Sequence, residues 1–380
     1  MTMRAALERA GRMWKKYLKM KFSARIFLAF LVAVPGGLIG GTGLILYWQT
    51  TAVSGAATFG SAQTLPPVYL EVRRRLLDGL PASSTETRRP FAVTVENHVD
   101  ARPLSGISRA SLVFEAPVEG GITRLLAFYE AESEVPEIGP VRSARPYFLD
   151  WTGELDALYA HVGGSPAALS AIKAGVVRDL DEYFWGAYFW RASSRSAPHN
   201  VYTSSDLLRR AEQKRGADQT VNLSSWQFAA TSTPLVGSAA EEVVVPFSTR
   251  DYKVKWRWEP QLRAYRRFLA DSPDRDALGD ELRAANVAII FVRTRVLDEV
   301  GRLALGALGA GRAIIFKDSQ AEEGSWSKDS TSERLRFKNQ SGEEIRFRPG
   351  ATWVEVVPEG ISVSYGASEN FSGYGEKLQN

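Results

Sequence analysis

The stretch IGPVRSARPYF, residues 138–148, places Arg142 and Arg145 between two prolines, among small and apolar residues. A planar guanidinium grips a carboxylate or phosphate through two parallel hydrogen bonds, which a lysine ammonium does not do. Two guanidiniums in one tight turn therefore serve either an exogenous anion or a buried acid of the protein itself. The nearest such acid is Glu115, embedded in the apolar run SLVFEAPV. A buried carboxylate must find a partner or take up a proton. Arg124, in VEGGITR, joins Arg142 and Arg145 as a candidate partner for Glu115 and as a candidate anion ligand.

All three histidines, His98, His161 and His199, lie beside polar or turn residues, in VENHVDARP, YAHVGGSP and SAPHNVY. A turn histidine is ordinary singly; as a set they suggest a shared cleft. Glu119 and His161 are then candidate general bases, with the arginines stabilising charge, which is the chemistry of a hydrolase or transferase. Histidines with a glutamate can hold a metal, but no HExxH or comparable spacing is present, so no metal and no cofactor is expected. A serine nucleophile lacks its G-x-S-x-G elbow. GALGAGRA, residues 306–313, lacks the Lys-Ser/Thr of a phosphate loop and reads as a turn. The chain contains no cysteine, which removes thiol nucleophiles, thiolate metal sites, disulfides and a lipid-bearing cysteine.

These residues need elements to position them. DALYAHV reads as a strand, GGS as a loop and PAALSAIKAG as a helix capped by Ser165, with Pro166 at its first position and Gly175 at its stop. A strand, a glycine loop and a helix start aim backbone N–H groups at an anion. Gly163, Gly164 and Ser165 are therefore expected to bind ligand beside His161, at the edge where open α/β sheets hold theirs. His199 and Asn200 complete the expected ligand set. FAVTVEN, SLVFEAPV and TRLLAFYE read as strands, and RPYFLDWTGEL as a helix. From Glu241 onward short strands dominate, among them EVVVPFS, YKVKWRWE, VAIIFVRT, EIRFRPG and TWVEVVP, with the tryptophans read as core residues.

The net charge of +4 is unevenly placed. Residues 1–25 carry eight Lys/Arg against Glu8, a surplus of +7 that leaves −3 for the remainder. A folded part near neutrality lacks the basic stripe of phosphate-backbone binding, so nucleic acid is not expected as a partner. Ile26–Trp48 follows as 23 residues without a charge. As a helix it reaches about 34 Å, enough for a hydrocarbon core of about 30 Å. Its length favours an anchor over a cleaved signal peptide, with the basic flank cytoplasmic.

The expected organisation is a basic cytoplasmic tail over 1–25, a transmembrane helix over 26–48 and a linker with a short amphipathic helix over 49–88. An α/β domain, a layered sandwich around a mixed sheet, covers 89–240. A β-rich domain covers 241–360, and a flexible tail 361–380. VENHVDARPLSG, VFEAPVEGGITR, IGPVRSARPYF, HVGGSP and APHNVYTS, in that order, resemble the YerB-like family of bacterial envelope proteins. KWRW, GSWSK and PGATWVEVVP resemble that family's second part. The resemblance implies an exported, membrane-associated protein with an α/β part followed by a β-rich one, and it implies no reaction. The combined reading is a single-pass membrane protein whose extracytoplasmic N-terminal domain binds an anionic cell-wall component. A wall-directed enzyme and a scaffold that binds an envelope protein are the alternatives. An anchor predicts that N-terminal sequencing of the cell-associated form finds residues 26–48 retained; a mature chain beginning after Ala56 would rule it out.

Overall fold

The computed structural model describes residues 73–367, apart from 84–85, 217–220 and 230–236. The basic tail and the apolar run 26–48 lie outside the described residues. Among the described residues no helix is long and apolar enough to cross a membrane.

One large mixed sheet organises the chain. Its main strands are β1 Phe91–Glu96, β2 Leu112–Pro117, β3 Thr123–Tyr129, β4 Leu158–His161, β5 Arg178–Asp181, β6 Asn286–Val292, β7 Gly309–Lys317, β8 Gln320–Lys328, β9 Arg336–Asn339 and β10 Thr352–Pro358, with the short Ser238–Ala239 paired beside β8. They lie in the order β9-β8-β7-β6-β10-β2-β3-β1-β4-β5. The pairs β6–β10, β10–β2, β1–β4 and β4–β5 are parallel. Strands from both ends of the sequence thus share one sheet, because β10 inserts between β2 and β6.

The central strands are apolar on both faces, as a doubly covered sheet requires. Val93, Val95, Val113, Leu125, Ala127, Val287 and Trp353 enter one core. Ala92, Phe114, Leu126, Phe128, Ile290 and Val354 enter the other. A second, antiparallel sheet, including Glu242–Pro246, Lys253–Glu259, Ala264–Leu269 and Ser364–Gly366, contributes to the first core. There Trp256 meets Trp353 edge to face at 5.2 Å. Helix α1, Pro146–Gly153, covers the second core by stacking Trp151 on Phe114 at 4.8 Å. Helix α2, Pro166–Lys173, is capped by Ser165 as expected. Two further helices follow, α3 Glu182–Trp185 and α4 Ser205–Arg215.

Three expectations are corrected. The described part of the amphipathic segment, 73–80, is a turn closed by an Arg74–Pro81 bridge, because Leu76 and Leu77 are drawn into the core. Residues 364–366 pair with Glu242–Pro246 where a loose tail was expected. EIRFRPG forms only isolated bridges, through Glu344 and Phe347.

Glu115 is wholly buried, and none of Arg124, Arg142 and Arg145 neutralises it. Arg267, from the second sheet, reaches its Oε2 at 2.5 Å, while Thr123 Oγ1 and Asn97 Nδ2 donate to Oε1 at 2.6 and 3.2 Å. Glu115 sits opposite Glu355 on parallel β10, and Trp256 Nε1 donates to Glu355 at 2.7 Å. Burial first, and then the charge of Glu115, push the Glu355 carboxyl well above the usual carboxylate range. Arg267 also pairs with Asp274, so a single arginine serves two acids while the raised Glu355 carboxyl stands beside Glu115. Removing the arginine alone strands a buried charge, so Arg267→Ala should cost about 3–5 kcal/mol in denaturant unfolding. Adding Glu115→Gln should recover much of that loss, whereas it should not rescue Arg142→Ala or Arg145→Ala; absence of coupling to Arg267 would refute the assignment.

Glu130, just past β3, is buried and accepts the Leu77 N–H at 2.8 Å. Burial pushes its carboxyl up to about 7, against the pull of that N–H and with a further push from Asp78. The folded chain thus keeps a proton that the unfolded chain releases near 4.5. Its stabilising contribution is complete below that value and is lost as pH rises through about 7. The loss is on the order of 3 kcal/mol. Glu130→Gln should flatten the stability profile between these limits and raise the melting temperature at pH 8; an unchanged profile would contradict the shift.

Candidate functional site

β1 ends at Glu96, which is fully buried and stands opposite Arg124 at the start of β3. The turn 138–145 crosses this edge. Glu96 N–H donates to Pro140 O at 2.9 Å and Arg142 N–H to Thr94 O at 2.8 Å. Beyond it, Val162 N–H donates to Arg142 O, and the backbone of Ala144 exchanges bonds with Gly163 and Ser165. The turn is therefore held between the ends of β1 and β4. Gly139 allows the approach, since a Cβ there would stand only 2.9 Å from Val201 O. Pro146 then starts α1.

Each arginine of the turn meets an acid. Arg142 Nε contacts Glu96 Oε2, and Arg124 Nη2 lies 4.0 Å from Glu96 Oε1. Arg145 grips Glu119 with two bonds, Nε to Oε1 at 2.8 Å and Nη2 to Oε2 at 2.7 Å. Arg124 also donates to Ser143 O at 3.1 Å, and its Nε has no partner. Three guanidiniums thus face two carboxylates. Burial lowers the Arg124 pKa; the attraction of Glu96 opposes this, and repulsion from Arg145 and Arg142 adds to it. Burial pushes the Glu119 carboxyl up, but the bonds from Arg145, its own backbone N–H and the Arg145 and Arg124 charges outweigh that, leaving its pKa below normal. A carboxylate held so low is a weak proton acceptor.

The remaining expected residues divide. His161 shares the sheet face of Tyr159, on which it stacks at 4.9 Å, and has no exposure. Its Nδ1 meets Gly163 O at 2.8 Å and its Nε2 lies 3.5 Å from Asp179. A general base must reach the proton it takes, so a sealed His161 is a structural residue in this conformation. Gly163 N–H donates to Asp181, Ser165 N–H to Ala144 O, and the Ser165 hydroxyl accepts from Ala168 N. The loop's donors are thus largely used within the fold instead of facing a ligand. Gly163 adopts a left-handed φ of +56°, which accounts for the glycine. Asn200 Oδ1 accepts from Arg191. His199 does reach the site, with Nδ1 3.7 Å from Glu96 Oε2 and its ring stacked on His98 at 5.1 Å.

Glu96 is the hub that sequence reasoning passed over. Its signal was present: in FAVTVE an acid occupies an inward position of a buried strand, as Glu115 does in β2. Tyr183 and Phe184 were also missed; they are exposed at 72 and 84 % beside the glycine loop.

Residues 77–218 match the N-terminal domain, and residues 243–354 the C-terminal domain, of a protein family of unknown function, DUF3048. The chain is 33% identical over 292 residues to "Putative lipoprotein YerB" of Bacillus subtilis (strain 168), covering 74% of this chain and 86% of that protein. The crystal structure of YerB from Bacillus subtilis superposes with a TM-score of 0.69 at 29% identity, covering 77% of this chain and 99% of that one. Matched along both domains, in sequence and in fold, the chain belongs to the DUF3048 family, to which it is joined by its likeness to YerB.

Proposed function

We propose that this chain is an envelope protein, held at the outer face of the membrane by residues 26–48, whose arginine turn binds a carboxylate or phosphate group of a cell-wall peptide, glycan or anionic polymer. The relative's name, "Putative lipoprotein YerB", supports the location. This chain has no cysteine to carry a lipid, so the uncharged run takes over the anchoring. The observation that carries the binding reading is the charge count at the sheet edge. Among the described residues Arg124, Arg142 and Arg145 converge on two acids, Glu96 and Glu119, and Arg124 is almost fully buried. A desolvated cationic surplus is unfavourable in the empty state, and an incoming anion relieves it. Arg142 and Arg145 form the accessible rim, with side chains 23 and 12 % exposed. Nothing in the geometry favours the hydrolase or transferase reading, since His161 is sealed and Glu119 is committed to Arg145.

Inorganic phosphate and acetate, titrated at constant ionic strength, test the site. The full chain should gain melting temperature saturably with at least one of them, and Arg142→Gln should abolish the gain. Arg124→Met should also abolish binding while leaving the empty protein as stable as the parent or more so. No saturable gain, or an equal gain in both variants, would overturn the reading.

A further inference from the structure

His98, Asp100 and His199 converge on a region of the surface next to the arginine turn. One ligand atom from each lies within 4.8 Å of the other two. The two imidazoles are nearly parallel, 17° apart, and come from segments separated by about a hundred residues. Their meeting is built into the fold. His98 caps the short helix Val99–Ala101, and Arg195, from the segment leading to His199, donates to Asp100 O at 3.1 Å and Pro103 O at 2.8 Å. That guanidinium ties the two histidine-bearing segments together at the backbone.

We propose that His98, Asp100 and His199 form a binding site for a divalent cation of the zinc class. Two imidazoles and a carboxylate are ligands that zinc accepts, and three protein ligands leave a coordination position open. Bonds of about 2.0–2.1 Å place tetrahedral ligands about 3.4 Å apart, so the three groups must close by about 1 Å. They have the freedom to do so, since the Asp100 side chain is 73 % exposed and that of His98 35 %. His199 Nδ1 has no hydrogen-bond partner, and the buried Glu96 carboxylate lies 3.7 Å from it. A carboxylate beside a ligating imidazole fixes its orientation and raises its basicity. Glu96 and Asp100 together offset the charge that the cation would meet at Arg142. The bound ion would staple the segment before His199 to the segment after β1, on the rim of the anion site. Zinc binding does not depend on anion binding, and the calorimetric equivalent and the cobalt absorption report it apart from any anion.

The test is calorimetric titration of zinc chloride into the full chain after stripping with chelator. One equivalent should bind saturably, and the melting temperature should rise with it. His98→Ala and His199→Ala should each weaken binding at least about tenfold, the effect expected of even an outer-shell residue. Substituted cobalt(II) should give the visible absorption of a four-coordinate ion, lost in the same variants. Should His199→Ala disturb folding beside Glu96, Asp100→Asn replaces an exposed side chain and must also weaken binding. Absence of a saturable equivalent, or affinity unchanged in the doubly substituted His98→Ala/His199→Ala chain, overturns the proposal.

Discussion

Two glutamates face each other across parallel strands, both without solvent access, and one arginine answers them. Glu115 and Glu355 cannot both ionise at such separation in a dry interior. The Glu355 carboxyl is therefore pushed well up and accepts a bond from Trp256, while Arg267 pairs with both Glu115 and Asp274. This arrangement fixes more than a local contact. Glu115 lies on β2, Glu355 on β10 and Arg267 on the second sheet, so the register of β2 against β10 and the seating of that sheet are set together. A slip of one residue in either strand would turn its acid to the opposite face and part it from the other. The price of misassembly is then an unpaired buried charge, a cost of several kcal/mol that apolar packing alone would not impose.

The same device recurs at the sheet edge with a different outcome. Glu96, like Glu115, is an acid facing inward from a fully buried strand. Around Glu115 both oxygens are met, by Asn97, Thr123 and Arg267 in hydrogen-bonding geometry. Around Glu96 the case differs: Arg124, Arg142 and His199 crowd one carboxylate, neither of whose oxygens has a well-formed hydrogen bond. A carboxylate with both oxygens bonded helps specify a fold, while one with neither bonded calls for an explanation; near Glu115 the unsatisfied atoms are Arg267 Nε and Glu355 Oε2, not the carboxylate itself. That contrast, between two buried glutamates 19 positions apart, separates the structural centre of this protein from its candidate site.

How far the fold was legible follows from what each strand touches. FAVTVEN, SLVFEAPV, VAIIFVRT and TWVEVVP announce themselves because both their faces are buried. The helix at Pro166 is legible from its cap, its proline and its stop. Strand β8, QAEEGSWSK, escapes because much of it is polar, and α4 because it buries few apolar side chains, among them Leu208 and Ala211. The pairing of Glu115 was beyond reach for another reason. Its partner lies 152 residues away in a sheet whose docking no local pattern encodes. The arginine turn was recognised as functional or structural from composition, yet choosing between these required seeing which acids it meets.

The histidines show the limit most sharply, because their sequence contexts are alike and their environments are not. His161 ends a buried strand and is sealed by Tyr159, Gly163 and Asp179. His98 and His199 lie outside the strands, where backbone direction is set by turns and by the bonds from Arg195. A position on the sheet fixes a side chain by period-two alternation, so its fate can be read once the strand is known. A position in a turn is fixed by whatever tertiary bonds hold that turn, and these involve residues with no periodic signature. The candidate sites in this fold therefore lie where sequence periodicity stops: in the segment after β1, the turn 138–145 and the segment that ends at His199. The large sheet contributes rigid strand ends against which those irregular segments are pinned.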